Sequence, residues 1–450
     1  MSEIIHIKKG LNIPLKGDAE KRFAATELVV TYALKPGDFR GINPRLVVKE
    51  GDLVKAGVPV LADKQNEKIK IVSPVSGTVT EIRRGEKRAL LEVVITSDHE
   101  FDSINFGKAD PSQLSREQLI EKLLESGVWP YIRQRPYTII ANPYDVPKAI
   151  FISAFDTAPL APDIDFLMEN QHAEFQKGID VLQKLSSGLV YLNIHENLNK
   201  SPFFKNIKNV TLNTFTGPHP AGNVGVQIHQ ISPINKGDIY WTIQPQDVLI
   251  IGRLFNHGIY DASRIICVSG SEALSPAYYK VTGGINVAPI LKNQLKGEHT
   301  RVISGNVLTG TKINSSGFLG FYHTQLTLIP EGNEHELFGW AKPGFDKFSF
   351  SKTFLSKLIP DRKFTLNTNL HGGERAYVIT GQYEKVLPMD IYPMHLIKAC
   401  LIQDIELMEK LGIYEVDEED FALCEFIDTS KTNIQEIIRS GINLVHQEMS

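Results

Sequence analysis

The feature that most constrains this fold is residues 46–96, where apolar and polar residues alternate between regularly spaced glycines. Alternation with a period of two places every second side chain on the same face of a strand, and glycines between such runs mark tight turns. Residues 1–45 hold shorter runs of the same kind, such as "GLNIPLKG". We therefore predict an all-β region over residues 1–100. The glycines that punctuate the clearest part of it are Gly51, Gly57, Gly77 and Gly85.

Two segments of this region, "EGDLVKAGVPV" and "SPVSGTVTEI", resemble the barrel-sandwich fold of biotinyl and lipoyl carrier domains. A carrier needs one lysine at the tip of its central hairpin, a short distance before an Ala/Ser-Pro turn. Counting back from Pro74 places Asn66 at this tip, with Lys64 and Lys68 on either side of it. The pattern favours a barrel-sandwich hybrid without a swinging arm, and a lipoyl- or biotinyl-type carrier is the alternative.

Residues 101–258 alternate between strand and helix patterns, which predicts a Rossmann-like α/β domain. The first helix has clear boundaries, because Ser115 and Gln118 match a capping box and Gly127 stands where a helix end favours a left-handed residue. We predict strands at "YTIIA", "KAIFISAF", "GLVYLNI" and "NVTLNTF", and helices at "DIDFLMENQ" and "FQKGIDVLQKL". The apolar run "DVLIIG" is expected to be a short strand or a buried turn.

Three further regions follow along the chain. Residues 259–340, with "RIICVSG", "TRVISGNVLTG" and "TQLTLIP", predict a small α+β domain. Residues 341–388 predict a β-rich connection, in which "HGGER" is a turn that leads into the strand "AYVITG". Residues 389–450 have helical spacing and predict a C-terminal helical domain. The fold class is therefore a multidomain α/β protein with an N-terminal barrel sandwich.

Composition and spacing exclude several classes of protein. The 450 residues carry a formal net charge of −4, so no basic field points to nucleic acid. The cysteines are far apart, which excludes a disulfide framework, a CxxC zinc site and a self-contained iron–sulfur motif. No apolar run is long enough to span a membrane, and "MSEIIHIKKG" lacks the apolar core of a signal peptide. We expect a cytoplasmic protein with no direct membrane span.

The search for catalytic and metal-binding residues finds no strong candidate. His219, in "HPAG", and His229 give a weak metal signal, because no third ligand stands at a defined spacing from them. No nucleophile–histidine–acid set can be located in the sequence. We therefore assign no catalytic residue and no metal ligand.

Four segments together resemble a known family: "IHIKKGLNIPLKG", "SPVSGTVTEIRRGEKR", "TGPHPAG" and "ALCEFID". They look like the A subunits of sodium-translocating NADH:quinone reductases, and the resemblance follows essentially the whole chain in order. More remotely, the domain order is similar to the flavin subunit of respiratory complex I and the C subunit of Rnf complexes. The resemblance implies a ubiquitin-like, SLBB-type fold for residues 259–340. It also implies a peripheral subunit on the cytoplasmic face of the bacterial inner membrane, docked on membrane subunits, especially the B subunit.

The flavin-binding relatives carry a loop of the type L-R-G-R-G-G-A-G-F-P after a helix that ends in Ser-Gly. Glycines there let backbone N–H groups approach a phosphate. Alignment on Ser126 and Gly127 puts a side chain at all four glycine positions, and one of these residues is a proline without an N–H to donate. The four positions are Pro130, Ile132, Arg133 and Arg135.

Three other cofactor signatures of these relatives are incomplete. In the turn that corresponds to E-x-E-P, Asp156 keeps one carboxylate and Ala158 replaces the other. The glutamates that follow Y-P-x-G or Y-I-C-G correspond to Asn223 and Val224. The iron–sulfur spacing that starts at Cys424 continues without thiolates, which leaves Cys424 as a small buried apolar residue. The resemblance therefore implies that partner subunits handle NADH, the flavins and the iron–sulfur centre.

The stretch "ESGVWPYIRQRPYT" suggests another use for the vacated site. Trp129 and Tyr131 can stack on a quinone ring, and Arg133 or Arg135 can donate hydrogen bonds to a quinone oxygen. Phe39, in the loop "PGDFRGINPR", is a further candidate for a quinone or partner contact. The alternative is that the aromatic residues pack in the core and the arginines face solvent or a partner.

The leading hypothesis is a cofactor-free subunit of a sodium-pumping NADH:quinone reductase. It would contribute to quinone binding or reduction, with ubiquinone as one candidate, and to docking on the membrane subunits. The isolated chain is expected not to be catalytic. The alternatives are an autonomous flavin-dependent NADH dehydrogenase, a lipoyl- or biotinyl-type carrier, and an adaptor without a ligand.

Overall fold

The N-terminal region of the computed structural model consists of two antiparallel sheets. The structure describes residues 4–449 apart from 334, 335, 337, 340, 341 and 360. The strands of this region are β1 (Ile4–His6), β2 (Thr31–Leu34), β3 (Pro44–Leu46), β4 (Leu53–Val54), β5 (Pro59–Asp63), β6 (Lys70–Val72), β7 (Gly77–Arg84) and β8 (Leu90–Ser97). One sheet has the order β2-β8-β7-β4 and the other β3-β5-β6, which confirms the strand and turn pattern of residues 46–96.

A close backbone approach explains one of the predicted glycines, Gly77. Gly77 begins β7 with a φ of 151°, and a Cβ on it would overlap the carbonyl oxygen of Thr96 on the paired strand β8. Such a backbone conformation without room for a side chain requires glycine. With any other residue at position 77, β7 could not pair with β8 in this register.

The tip of the hairpin between β5 and β6 is the place where a carrier protein would hold its lysine. Asn66 occupies the centre of this tip, where its N–H donates to Asp63 Oδ2 at 3.0 Å and its carbonyl accepts from the N–H of Ile69 at 2.9 Å. Lys64 and Lys68 are exposed on either side of it. Asn66 therefore occupies the tip of the hairpin in the fold, as counting back from Pro74 predicts.

The central region is a mixed sheet with helices, as predicted. Its elements are α1 (Arg116–Glu125), β9 (Arg133–Arg135), β10 (Ile139–Ile140), β11 (Ala149–Ser153), α2 (Ile164–Met168), α3 (His172–Leu185), β12 (Val190–His195), α4 (Pro202–Lys205), β13 (Thr211–Thr216), α5 (Val224–Ile231), β14 (Tyr240–Thr242) and α6 (Pro245–His257). The sheet order is β1-β13-β12-β11-β14-β9-β10, in which the first five strands are parallel and β9 and β10 are antiparallel additions.

Strand β1 extends this central sheet and does not pair within the N-terminal sheets. It runs parallel to β13, with Ile4 opposite Thr214 and His6 opposite Thr216. The chain therefore starts in the α/β sheet and then crosses to the barrel sandwich. At the start of α1, the first helix of the central region, the capping box of Ser115 with Gln118 is present, which confirms the prediction.

The prediction for "DVLIIG" is wrong, because these residues lie inside helix α6. The helix is buried on nearly all sides, so its apolar residues lack the spacing of a half-exposed helix. It packs against α3 through two glycines, Gly252 on α6 and Gly178 on α3. A Cβ on either glycine would overlap a backbone carbonyl oxygen of the facing helix, so the two helices approach more closely than side chains would allow.

The next region confirms the predicted small α+β domain. Its elements are β15 (Ser263–Ser269), β16 (Ala277–Thr282), α7 (Ala288–Leu291), β17 (Thr300–Ser304), β18 (Thr311–Ile313) and β19 (Gln325–Pro330). The sheet order is β16-β15-β19-β17-β18, and the central pair β15 and β19 is parallel. The short helix α7 connects β16 to β17.

The prediction of a β-rich connection over residues 341–388 is wrong for the part of it that the structure describes. No strand forms there, and the nearest approach to one is a single bridge between Leu15 and Phe364. "AYVITG" pairs with no other strand, and its Val378 and Ile379 are 50% and 63% exposed. Alternating apolar residues make a strand only where a partner edge is available, and the described neighbours of this segment are C-terminal turns and helices.

The C-terminal region is helical, as predicted. It consists of α8 (Pro393–Ile402), α9 (Ile405–Lys410), α10 (Ala422–Ile427) and α11 (Ile434–Met449). Cys400 and Cys424 are buried in its core, and burial raises the pKa of the Cys400 thiol to about 12. This confirms the interpretation of Cys424 as a small core residue. Among the helices of the described residues, none is long and apolar enough to cross a membrane.

Candidate functional site

A polar cleft of about 350 Å³ opens where the strand order of the central sheet reverses. The chain passes from β11 outward through β12 and β13, and it then returns to β14 on the other side of β11. Asp156 follows the carboxyl end of β11, Gln244 follows that of β14, and both line the cleft. Open α/β sheets bind ligands at such a switch point. The cleft is therefore the candidate functional site.

Three other parts of the chain complete the walls of the cleft. Asp38 and Arg40 come from the loop before β3, residues 320–325 from the α+β domain, and residues 417–419 from the C-terminal domain. The N–H of Phe321 donates to Asp38 Oδ2 at 2.8 Å, which fixes two of these walls to each other. The site is thus assembled from four regions that are distant in sequence.

Trp129, a predicted quinone contact, is fully buried behind the cleft. Its indole Nε1 donates to the carbonyl oxygen of Ala141 at 2.7 Å. Its ring meets that of Trp241 edge-on, with 5.4 Å between centroids. The side chain packs on Trp241 and its one polar atom has a hydrogen-bond partner, so Trp129 is a core residue and does not line the cleft.

Tyr131 and Phe39 are also buried, and both pack on the same residue of the cleft wall. The Tyr131 ring stacks on Phe321 with 4.6 Å between centroids, and Phe39 meets Phe321 edge-on at 4.7 Å. The Tyr131 hydroxyl is 2.8 Å from that of Tyr260, and burial raises the pKa of Tyr131 to about 12. The surface presented to a ligand is therefore Phe321, with Tyr131 and Phe39 behind it.

Of the five predicted contact residues, only Arg133 lines the cleft. Its guanidinium lies over the ring of Tyr322, 5.0 Å from the centroid. The Tyr322 hydroxyl donates to the carbonyl oxygen of Pro130 at 2.7 Å, which holds the ring in place. Among the described residues, no carboxylate forms an ion pair with Arg133 and no hydrogen bond of its side chain is found. Its donors are available to a ligand.

Arg135, a predicted quinone or partner contact, neither lines the cleft nor faces solvent. It is 1% exposed and lies among three carboxylates of the C-terminal domain. Its Nη2 is 2.9 Å from Glu419 Oε1 and 3.6 Å from Asp417 Oδ2, and its Nη1 is 3.7 Å from Asp420 Oδ2. The side chain joins the central sheet to the C-terminal domain.

The acidic run "DEED", residues 417–420, is the partner of Arg135 and of two further arginines. Arg40 pairs with Glu418, and Arg439 of α11 pairs with Asp417 and Glu418. Burial acts to raise the pKa of Asp417, but Arg135 and the neighbouring donors outweigh it and hold this pKa below its ordinary value. Burial and the charge of Asp417 raise the pKa of Glu418. The run therefore links the N-terminal region and the central sheet to the C-terminal domain.

The N-terminus of helix α5 is occupied by a carboxylate of the same run. Asn223, the residue before α5, donates from Nδ2 to Asp420 Oδ1 at 3.3 Å. Asp420 also lies directly over Gly225 in the first turn. A helix N-terminus attracts anions because its first N–H groups are unpaired. Here the protein supplies a carboxyl group of its own, and burial raises the pKa of this group to about 7.

Helix α6, which starts beside the cleft, carries its own carboxylate in the same way. Pro245 at its first position has no N–H, and Asp247 stands in its first turn. Asp247 Oδ1 is 3.2 Å from Arg264 Nη2, and both side chains are 1% exposed. Burial raises the pKa of Asp247 to about 6, against the opposing charges of Arg264 and Arg133. The positive end of α6 is thus already balanced by a negative side chain.

Asp156 differs from the other carboxylates of the cleft because no cation pairs with it among the residues that the structure describes. One carboxylate oxygen accepts from the N–H of Ala158 at 2.7 Å, and the side chain is exposed to the cleft. Loss of surrounding water and the charge of Glu419 raise its pKa, while the backbone donors oppose this shift. The neighbouring Ala158 is buried and contributes no charge.

The two histidines considered as metal ligands have separate partners. His219 Nδ1 is 3.1 Å from Thr157 Oγ1, whereas His229 Nδ1 is 2.7 Å from Glu415 Oε2. In the described parts of the chain, no group of three or more histidine, cysteine or acidic side chains is arranged to hold a metal ion.

Several site residues were not predicted. Tyr322 and Phe321 were not singled out, because an aromatic pair after glycines gives no signal that it will face a distant sheet. The "DEED" run was not identified as an ion-pair partner either, although four consecutive acids in an otherwise helical region are a signal that sequence reasoning could use.

The domain order and the site define a class: a barrel-sandwich domain, then an α/β domain with a polar switch-point cleft, then an SLBB domain. Family models match each part, namely the NqrA N-terminal barrel-sandwich hybrid domain at residues 5–98, the NqrA second alpha/beta domain at 114–260 and the NQRA C-terminal domain, of SLBB type, at 265–315. The chain belongs to the family of the A subunit of the Na(+)-translocating NADH-quinone reductase.

Full-length relatives carry the family assignment. The A subunit of the Na(+)-translocating NADH-quinone reductase from Tolumonas auensis is 38% identical over 449 residues, which covers 99% of this chain and 100% of the relative. Its counterpart from Photorhabdus laumondii is 36% identical over 448 residues with the same coverage. A solved NAD+-reducing [NiFe]-hydrogenase is similar at a TM-score of 0.36 and 11% identity, covering 68% of this chain and 55% of that one, a level that says nothing about function.

Proposed function

We propose that this chain is a peripheral, cofactor-free subunit of a sodium-translocating NADH:quinone reductase that contacts the quinone headgroup in the switch-point cleft. It docks on the membrane subunits, especially the B subunit, at the cytoplasmic face of the membrane. The names of the full-length relatives support the complex and its reaction. NADH, the flavins and the iron–sulfur centre are then handled by partner subunits, and the isolated chain is not catalytic.

The four positions at which flavin-binding relatives have glycines that approach a phosphate carry side chains in this chain, which supports the cofactor-free role. Pro130 and Ile132 are buried, and Pro130 offers its carbonyl to Tyr322 in place of an N–H for a phosphate. The N-termini of α5 and α6 each carry a carboxylate, from Asp420 and Asp247. Each of these carboxylates already has a buried arginine partner, Arg135 for Asp420 and Arg264 for Asp247, so neither helix end is left open to a phosphate. The residues present therefore do not fit a flavin phosphate.

The observation that carries the quinone contact is the unpaired guanidinium of Arg133 over the ring of Tyr322. A quinone has carbonyl oxygens that accept hydrogen bonds and a flat ring that packs on aromatic faces. Arg133 supplies the donors and lies on the Tyr322 ring, and Phe321 forms the adjoining aromatic wall of the cleft. The residues that support this wall from behind or hold the C-terminal domain beside it are Trp129, Tyr131, Phe39 and Arg135.

The test is quinone reduction by the assembled complex with Arg133→Gln. We expect the KM for a short-chain quinone to rise roughly tenfold, because one charge-assisted hydrogen bond is lost. Arg362→Gln is the matched control, since Arg362 also lies over an aromatic ring, that of Phe364 at 5.8 Å, but not in the cleft. An unchanged KM in a fully assembled Arg133→Gln complex would refute the contact.

A second candidate function is an adaptor that binds no ligand. The burial of Trp129, Tyr131, Phe39 and Arg135 favours it, because four of the five predicted contact residues serve packing or domain attachment. Docking on the membrane subunits is common to an adaptor and to a quinone-contacting subunit. The two functions differ in whether substitution of Arg133 changes the KM for quinone while assembly stays intact.

A further inference from the structure

Among the described residues that line the cleft, one cation and one anion have no ionic partner. The other acidic groups that line it have cationic partners. These pairs are Asp38 with Lys35 at 4.0 Å, Asp417 with Arg439, Glu418 with Arg40, and Glu419 with Arg135. Among the described residues, Asp156 and Arg133 are the charged pair of the cleft left without ionic partners.

These two groups offer opposite hydrogen-bonding chemistry to one ligand. A guanidinium only donates hydrogen bonds, and an ionised carboxylate only accepts them. The carboxylate of Asp156 is held by the N–H of Ala158 at one oxygen, so its position is set before a ligand arrives. A ligand that satisfies both groups has one acceptor and one donor.

We propose that Asp156 determines specificity for the reduced form of the quinone by accepting a hydrogen bond from a hydroquinone hydroxyl. The inference rests on the proposed function and concerns the same cleft. An oxidised quinone presents acceptors only, so its oxygen faces the lone pairs of Asp156 without a proton between them. A hydroquinone presents hydroxyls, one of which donates to Asp156 while the other oxygen accepts from Arg133. Asp156 thereby favours binding of the product over the substrate at this site.

The experiment compares two constants in the assembled complex: the KM for a short-chain quinone and the inhibition constant of the matching hydroquinone. Asp156→Asn keeps an oxygen that can accept from Ala158 but adds an N–H₂ group and removes the charge. We expect the inhibition constant of the hydroquinone to rise roughly tenfold, the loss of one charge-assisted bond, while the KM for quinone changes less than about twofold. Asp163→Asn is the matched control, because Asp163 also accepts from a backbone N–H but lies outside the cleft.

The outcomes separate this inference from the proposed function. If Arg133→Gln raises both constants and Asp156→Asn changes neither, or changes both equally, the role of Asp156 is overturned and the quinone contact stands. If Arg133→Gln changes neither constant, the proposed function itself fails. Should the Asp156→Asn complex not assemble, Asp156→Ser provides the same comparison, since its hydroxyl can still accept from the backbone at this turn. A selective loss of hydroquinone inhibition in either variant supports the inference.

Discussion

Asp420 lies so close to Gly225 that its Oδ2 is 2.6 Å from the position that a Cβ on Gly225 would occupy. The carboxylate is 1% exposed and is held by Asn223 and by Arg135 at 3.7 Å. It therefore cannot turn aside into water. Through this contact the C-terminal domain covers the N-terminal end of helix α5.

Gly225→Ala tests the contact by stability. Alanine normally stabilises a helix relative to glycine by about 1 kcal/mol. We expect the opposite sign, a loss of about 1–3 kcal/mol in the free energy of unfolding, because the added methyl group displaces a held carboxylate. Urea unfolding measures the change. Gly297→Ala is the control, since nothing lies within 4 Å of the position that its Cβ would take. A Gly225→Ala protein at least as stable as the parent would contradict the close approach.

Arg135→Met is expected to destabilise the protein by about 3–5 kcal/mol, because it leaves the buried carboxyl group of Asp420 without its cation. Arg45→Met is the control, since Arg45 and Glu67 form a surface pair at 2.8 Å that is largely exposed to water. Removing such a pair changes stability by less than about 1 kcal/mol. Equal effects of the two substitutions on chemical unfolding would show that Arg135 does not hold the C-terminal domain.

We expect the buried His219 to make the folded protein less stable in acid. It is 4% exposed, and burial lowers its pKa to about 4. An unfolded histidine titrates near about 6.5, so between about pH 6.5 and 4 the unfolded chain takes up a proton that the folded chain does not. Stability from this group is complete above about pH 6.5 and falls as the pH decreases, by up to about 3 kcal/mol.

The measurement is the free energy of unfolding of the parent and of His219→Gln across this range. The variant is expected to show a shallower decline, because glutamine takes up no proton. His257→Gln, at an exposed histidine, is expected to retain the slope of the parent. Identical slopes for the parent and His219→Gln would contradict a neutral buried His219.

Measuring the flavin content and the intact mass of the purified chain tests directly whether it holds a cofactor. We expect the purified chain to carry no flavin and to leave the fluorescence of added FMN unquenched, because residues with side chains stand at the positions of the glycines that approach the phosphate in flavin-binding relatives. We also expect an intact mass equal to that of the bare sequence, because Asn66 and not a lysine is at the hairpin tip. Stoichiometric FMN would favour an autonomous flavin-dependent dehydrogenase, and an added lipoyl or biotinyl mass would favour a carrier.

Local patterns predicted the parts of the fold that depend on neighbouring residues. The capping box of Ser115 with Gln118 and the position of Asn66 at its turn follow from short-range geometry. The helix α6 was missed because a helix buried on nearly all sides loses the periodicity that identifies it. The strand at "AYVITG" was predicted from alternation, which does not reveal whether a partner edge exists.

The site itself was only partly predictable. The side chains that replace the cofactor glycines are visible in the sequence, and so is Arg133. The contacts that give these residues their roles are long-range: Arg135 meets Glu419 at a separation of 284 residues. No local pattern distinguishes Arg133, which faces the cleft, from Arg135, which is buried two residues later.

The most direct measurement is a calorimetric titration of a short-chain quinone into the full isolated chain and into its Arg133→Gln variant. We expect saturable one-to-one binding to the parent and roughly tenfold weaker binding to the variant, with Arg362→Gln unchanged. Saturable binding that is equally tight in all three proteins, or no binding to the parent, would contradict a quinone contact in the switch-point cleft.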